Sequence, residues 1–324
     1  MRWAVVLVAV TVLVYSPMDN APFVYEDFNW VDTVSADNSY GLTGQWPSRN
    51  WTQWSYQAQA DYGRANPRPY HLMNVVLHLV TGGWVYLLGR RFGLPVPSAA
   101  FASAIFLWHP LNVAAVAYVS ARSDLWMTLS AVIAVTLTLL RRWWLLPLVA
   151  AACLLSGASK ELGALSAVLV VWTWRPVALL WLAPSGLMAL AIIRWGEYGV
   201  RWPAWETWIE LASANVMGIW RVLWLMVVPV GMSIDPDPYS WPMPHRMVAL
   251  AVLVACIAWV WRRGVVLERW ALGWLAVALL PRVLMPTFEP IHDQHAYLAM
   301  VPVALLAGCF VKESLWELGT SSPS

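Results

Sequence analysis

Apolar residues run through this chain in long blocks joined by short polar segments. The blocks fall at 3–16, 71–89, 97–108, 124–140, 143–157, 162–174, 177–194, 211–231, 246–261, 268–281 and 294–311. A helix needs about 20 apolar residues to cross the hydrocarbon core, and several of these blocks are short for that. The pattern predicts an all-α fold: a polytopic transmembrane helical bundle of about ten or eleven spans. Arg2 precedes the first block as it would in a signal peptide. No small-x-small cleavage site follows in SPMDNAPF, so a retained anchor is expected. Residues 17–70 interrupt the pattern and read as a long polar first loop. No internal repeat or low-complexity linker divides the rest, so residues 1–324 are expected to form a single membrane domain.

Composition agrees with the pattern. The 324 residues are 60% hydrophobic and 12% charged, where a soluble domain carries about 25% charged residues. Mean hydropathy is +0.58. A net charge of +2 gives no basic excess for nucleic acid. Tryptophan is abundant at 25 residues, and Trp143, Trp144, Trp172 and Trp174 sit at block ends, where indole suits the membrane interface. Cys153, Cys256 and Cys309 all lie inside apolar blocks and offer neither a disulfide framework nor a metal spacing.

Arginine sets the orientation. Counting from Arg2 puts Arg90, Arg91, Arg141, Arg142 and Arg175 on the inner side; counting back from the C-terminus puts Arg262, Arg263, Arg269 and Lys312 there too. The two counts disagree by one crossing around 195–245. Either 211–231 is re-entrant or interfacial, or a crossing near Pro184 is broken. The outer segments then hold Glu26, Asp27, Arg49, His71, His109, Arg122, Asp124, Lys160, Glu161, Asp235, Asp237, Asp293 and His295. One such group at a span end is most often just solvated. Carboxylates, imidazoles and cations from six outer segments suggest a shared pocket.

The motifs carry different weights. VYEDFNW (24–30) sets Glu26 and Asp27 side by side among aromatics, where one carboxylate can act as a general base; an ordinary acidic loop is the plainer reading. His71, Asn74 and His78 share one helical face. Their spacing suits a metal, but no carboxylate or cysteine accompanies them, which favours a helix–helix hydrogen-bonding face. Arg122 with Asp124, and Lys160 with Glu161, read either as local ion pairs or as cations for a lipid phosphate. SIDPDPYSWP (233–242) is a rigid acidic turn, and Asp293 and His295 stand at the mouth of the last block. Asn50-Trp51-Thr52 is a glycosylation sequon by pattern. The sequence has no GxGxxG, Walker loop, HExxH, GxSxG or CxxC motif, which weakens the readings as nucleotide-sugar enzyme, P-loop pump or membrane zinc protease.

Taken in order, YED (25–27), SRN (48–50), NPRPYHLMNVVLH (66–78), HPLNVAAVAYVSARSDL (109–125), SKE (159–161) and DQHAYL (293–298) resemble a known set. The chain is similar to the polyprenol-phosphate-sugar-dependent glycosyltransferases of the GT-C fold. Within them it looks closest to the bacterial relatives of the transmembrane and tetratricopeptide-repeat O-mannosyltransferases, without the repeat domain. The likeness is dense over the first half and sparse over the second. Glu26 stands where those proteins usually have Asp, Asn50 where they have Pro, Ala114 where they have Glu and Gln294 where they have Arg.

The resemblance implies a GT-C-like bundle on a multi-pass integral membrane protein, in a bacterial inner membrane with its site facing outward. It implies transfer of a sugar, with inversion, from a polyprenyl-phosphate donor to a hydroxyl of a protein or surface glycan. Asp27 or Glu26 would be the base, with Asp27 favoured. Arg49, His71, His109, Arg122, Asp124, Lys160, Glu161, Asp293 and His295 would bind donor and phosphate. No metal or other cofactor is expected, although a divalent ion at the Glu26–Asp27 pair is chemically compatible. A lipid-linked-sugar transporter or flippase would share the groove and cations but should show midplane ionisable groups and repeat symmetry. An inactive membrane homologue is the remaining alternative.

Overall fold

The computed structural model describes residues 2–24, 27, 49–63, 66–174, 204–233, 241–284 and 291–320. Every regular element among them is helical. In chain order these are α1 (Arg2–Tyr15), α2 (Asn50–Gly63), α3 (Arg68–Arg91), α4 (Val96–Trp108), α5 (Val113–Ala117), α6 (Arg122–Thr138) and α7 (Leu146–Ser159). There follow α8 (Ser166–Thr173), α9 (Trp205–Leu225), α10 (Met243–Arg263), α11 (Val266–Leu279), α12 (Pro281–Leu284) and α13 (Met300–Thr320). Short 3-10 turns at Ser16–Asn20, Pro110–Asn112, Val119–Ala121, Trp143–Leu145, Glu161–Leu165 and Asp293–Ala296 link them.

Fewer helices have spanning length than the apolar blocks suggest. Three among the described residues are long and apolar enough to cross a membrane: Arg2–Asn20, Arg68–Arg91 and Met243–Arg263. A fourth forms if Val96–Trp108 and Pro110–Ala117 are one span bent by 48°. The bend has a local cause. Pro110 has no N–H to continue the helix, and the His109 side chain caps the next turn by accepting from the Leu111 N–H at 3.2 Å. Trp143–Ser159, Glu161–Thr173 and Met300–Val311 are apolar but shorter. The block at 177–194 lies outside the described residues.

Helix α6 is the axis of the bundle. It is buried nearly all round, and α3, α7 and α8 pack against it. On the outside, α1 and α10 do the reverse: only 17% and 6% of their apolar windows are buried. Val5, Val8 and Leu13 of α1 and Val248, Val254 and Trp259 of α10 are exposed. Apolar side chains turned outward over a whole helix suit lipid rather than water.

The bundle has two chemically distinct ends. At one, α3, α6 and α10 finish beside Arg90, Arg91, Arg141, Arg142, Arg262 and Arg263. Indoles join that end: Trp143 packs on Trp174 with ring centroids 4.8 Å apart, Trp172 on Trp261 at 5.5 Å and Phe92 on Trp270 at 4.5 Å. This is the aromatic and arginine signature of one membrane face. The opposite end collects the C-termini of α1, α4 and α7 and the N-termini of α3 and α6.

Helix α9 does not run simply between these ends. Arg246, in the first turn of α10, donates to the Glu210 carbonyl at 3.4 Å and to Ser213 Oγ at 3.2 Å near the start of α9. Near its finish, Arg221 pairs with Asp293 and Gly218 packs on Ile291. Both ends of α9 therefore meet segments at the end opposite the arginines. That favours the interfacial or re-entrant arrangement for 211–231. The first loop also differs from the expected polar stretch. Residues 50–63 of it form α2, which buries Thr52, Ser55 and Tyr56 against the bundle.

Candidate functional site

At the end opposite the arginines, polar side chains from distant segments meet in two adjoining groups. The first centres on Arg122 at the start of α6, which is fully buried. Its Nε donates to Asn74 Oδ1 at 3.0 Å, one terminal nitrogen to the Ser55 carbonyl at 3.3 Å and the other to the Tyr70 carbonyl at 3.1 Å. The guanidinium also lies over the Tyr56 ring, 4.3 Å from its centroid. A planar fork of five donors suits such a junction. Arg122 thus ties α2, α3 and α6 together, and its Asp124 neighbour is not its partner.

Asp27 sits beside this hub and is fully buried. Its Oδ1 accepts from the Ser120 N–H and hydroxyl, both at 2.8 Å, and its Oδ2 accepts from the Val24 N–H at 3.1 Å. A carboxylate held by three donors is fixed in place and retains little acceptor capacity. Glu26, its companion in the acidic pair, lies outside the described residues, as do Asp235 and Asp237.

The second group is ionic. Lys160 Nζ donates to both carboxylate oxygens of Asp124 at 2.7 Å, in a pair that is almost wholly buried. Arg49 Nε reaches Glu161 Oε1 at 3.1 Å, with each side chain 25% exposed. Of the two readings open for Arg122 with Asp124 and Lys160 with Glu161, the local ion pair does not form at either: Asp124 and Glu161 pair with Lys160 and Arg49 instead. Gly163 makes this turn possible. A Cβ there would stand 2.0 Å from the Ser156 carbonyl oxygen, and the Gly163 N–H closes on the Lys160 carbonyl at 2.8 Å.

Next to these pairs lies His295, whose Nε2 is 2.7 Å from an Arg282 terminal nitrogen. Burial, then Arg282, Lys160, His292 and Arg49, hold its imidazole well below the usual histidine range. The His292 N–H also reaches His295 Nδ1 at 3.1 Å, and a neutral ring accepts at one nitrogen only, so it accepts from one of these two donors and not from both. His295 thus lies within electrostatic reach of Arg49, Lys160 and Arg282, and Lys160 within reach of Arg49 and Arg282, across four separate segments. The two groups adjoin through α2, where Thr52 Oγ1 donates to the Ser159 carbonyl at 3.0 Å and the Tyr56 hydroxyl to the Val119 carbonyl at 2.6 Å.

Other expected site residues are engaged differently. His71 Nε2 lies 3.2 Å from the Ala21 carbonyl, and Asn74 Nδ2 donates to the Val116 and Tyr118 carbonyls at 3.2 Å each. His78 Nε2 lies 3.0 Å from the Leu107 carbonyl, and its Nδ1 is 2.7 Å from the Tyr297 hydroxyl. This face of α3 bonds other segments of the bundle. His109 serves as the cap at the α4 bend. Asp293 accepts from the Ser233 N–H at 3.0 Å and is paired with Arg221.

The sequence reading missed Arg282, Arg221 and Ser120. Arg221 and Arg282 each stand in or beside an apolar block, and an intramembrane cation is itself a signal of function or pairing. Ser120 carried no signal, because its role is to grip a residue 93 positions away. Among the described residues, no group of three or more His, Cys, Asp or Glu side chains is arranged to hold a metal ion. Comparison with protein-family models, curated proteins and solved structures finds no match.

Proposed function

We propose that this chain is a membrane glycosyltransferase of the polyprenyl-phosphate-sugar-dependent kind, acting on the outer face of its membrane. The observation that supports this most is the convergence of Arg49, Lys160 and Arg282 beside a neutral His295 at the end of the bundle opposite the arginine-rich face, three cations against the two carboxylates of Asp124 and Glu161. Fixed cations in a low-dielectric setting suit a phosphate that gains charge as a bond to it breaks. In the reaction, the acceptor oxygen forms a bond to the anomeric carbon. The carbon–oxygen bond to the phosphate breaks on the opposite side, inverting the centre, and polyprenyl phosphate leaves with the electron pair. The acceptor proton goes to the Glu26–Asp27 pair. Within that pair, Asp27 is held by Ser120 and Val24.

The test is sugar transfer by purified Asp27→Asn and Glu26→Gln in detergent, with monodispersity checked. General-base catalysis contributes about 10²–10⁴-fold, so one of these variants should lose that much turnover while still binding donor. Wild-type turnover in both would defeat the catalytic assignment.

A further inference from the structure

Neighbouring residues where α2 meets α6 carry three buried polar atoms without a partner. They are the indole Nε1 of Trp51, the indole Nε1 of Trp126 and the amide oxygen of Asn50. The Trp51 and Trp126 rings meet edge to face with centroids 5.5 Å apart, and Asn50 directly precedes Trp51. Trp54 stacks on Trp51 at 4.9 Å and leaves 53% of its own surface exposed. Buried polar groups are almost always satisfied, so three orphans on adjoining residues call for an explanation.

Their chemistry narrows the occupant. An indole N–H only donates and an amide oxygen only accepts. An apolar chain would satisfy none of them. A second anion would suit the indoles but meet the Asn50 oxygen and the nearby Glu161 carboxylate. Hydroxyl groups both accept and donate, and a pyranose ring adds an apolar face that can lie on an indole. The position fits as well. Arg49 immediately precedes Asn50, and Thr52 anchors the first turn of α2 to the Ser159 carbonyl, one residue before Lys160. A sugar there would be adjacent to a phosphate held by those cations.

We infer that Asn50, Trp51 and Trp126, with Trp54 as a stacking face, form the subsite for the glycosyl ring of the lipid-linked donor. This rests on the proposed function for the phosphate but is tested separately from it. Binding of undecaprenyl phosphate and of its mannosyl and glucosyl phosphodiesters is measured on wild type, Trp51→Phe and Trp126→Phe. Each variant keeps an aromatic ring and loses the N–H. The preference for a glycosylated lipid over the bare phosphate should fall about 3- to 10-fold in each, with undecaprenyl phosphate binding retained. In parallel, the indole ¹⁵N–¹H resonances of Trp51 and Trp126, assigned from the two variants, should move when octyl mannoside or octyl glucoside is added. An unchanged preference together with unmoved resonances means that water satisfies the three atoms, and overturns the subsite. Failure of undecaprenyl phosphate to bind, with those resonances still responding to a glycoside, removes the phosphate reading and leaves the sugar subsite standing.

Discussion

The Lys160 ammonium lies 2.7 Å from both carboxylate oxygens of Asp124, 36 residues earlier in the chain, while the adjacent Glu161 pairs with Arg49. The backbone explains the exchange. Lys160 is extended, with φ −157° and ψ 145°, so its side chain and that of Glu161 leave the chain on opposite sides. The turn after α7 thereby fastens two different elements, α6 through Lys160 and the entry to α2 through Glu161.

That buried pair gives a sharp stability test. Breaking a buried ion pair from one side leaves an uncompensated charge and costs about 3–5 kcal/mol, whereas removing both charges can be close to neutral. Lys160→Met and Asp124→Asn should each lower the thermal midpoint in detergent strongly. The double variant should recover most of the loss. If the two single losses simply add in the double variant, the ammonium and carboxylate do not depend on each other.

Ser120 makes the second test. Its hydroxyl is one of three donors on the buried Asp27 carboxylate, and a hydrogen bond to a charged group is worth about 1.5–3 kcal/mol. Ser120→Ala should lose stability on that scale. If Asp27 positions the acidic pair, kcat should also fall while donor affinity holds. A variant with full stability and full kcat would mean that the backbone N–H groups of Ser120 and Val24 suffice to fix the carboxylate.

The sequence made the membrane character legible but not the packing. Apolar blocks show where helices run, and Arg90, Arg141 and Arg262 mark one end of the bundle, because these signals are local. The candidate residues at the end opposite the arginines were also legible as types: Arg49, Lys160, Glu161 and His295 do come together. Their pairing was not, because it depends on which way each side chain leaves a turn. The burial of Arg122 among uncharged acceptors was hidden for the same reason. Arginine beside aspartate in ARSD reads as an ion pair until Asn74, Ser55 and Tyr70 are seen around it. The helix at 50–63 was missed because its surface is polar and its apolar contacts come only from the fold.

Gly163 and Gly83 form a contrasting pair. A Cβ at Gly163 would overlap the Ser156 carbonyl, so Gly163→Ala must displace the turn that carries Lys160 and Glu161. A loss of about 1–3 kcal/mol or more is expected, together with weakened binding of undecaprenyl phosphate. A Cβ at Gly83, within α3, meets nothing within 4 Å. Gly83→Ala should therefore leave lipid binding unchanged and stability equal or slightly raised, by up to about 1 kcal/mol from helix propensity. Equal destabilisation by the two substitutions would show that the close approach at Gly163 is not what holds the turn.

Labelling of introduced cysteines tests the arrangement of the two ends and of α9 together. The native Cys153, Cys256 and Cys309 are first replaced, so that only the introduced thiol reports. Asn20, Glu206 and Met232 are exposed, the first just beyond α1 and the other two at and just past the ends of α9. Arg142 and Arg262 are exposed at the arginine-rich end. If α9 starts and finishes on one side, Asn20→Cys, Glu206→Cys and Met232→Cys should all react with a membrane-impermeant maleimide in intact cells. Arg142→Cys and Arg262→Cys should react only after permeabilisation. The result is informative because α9 is 21 residues long, enough to cross if it stood upright. Reaction at Met232 but not at Glu206 would make α9 a full crossing and restore the simple count of spans. Reaction at Arg142 but not at Asn20 would turn the whole bundle over and put the proposed sugar-transfer site on the inner face.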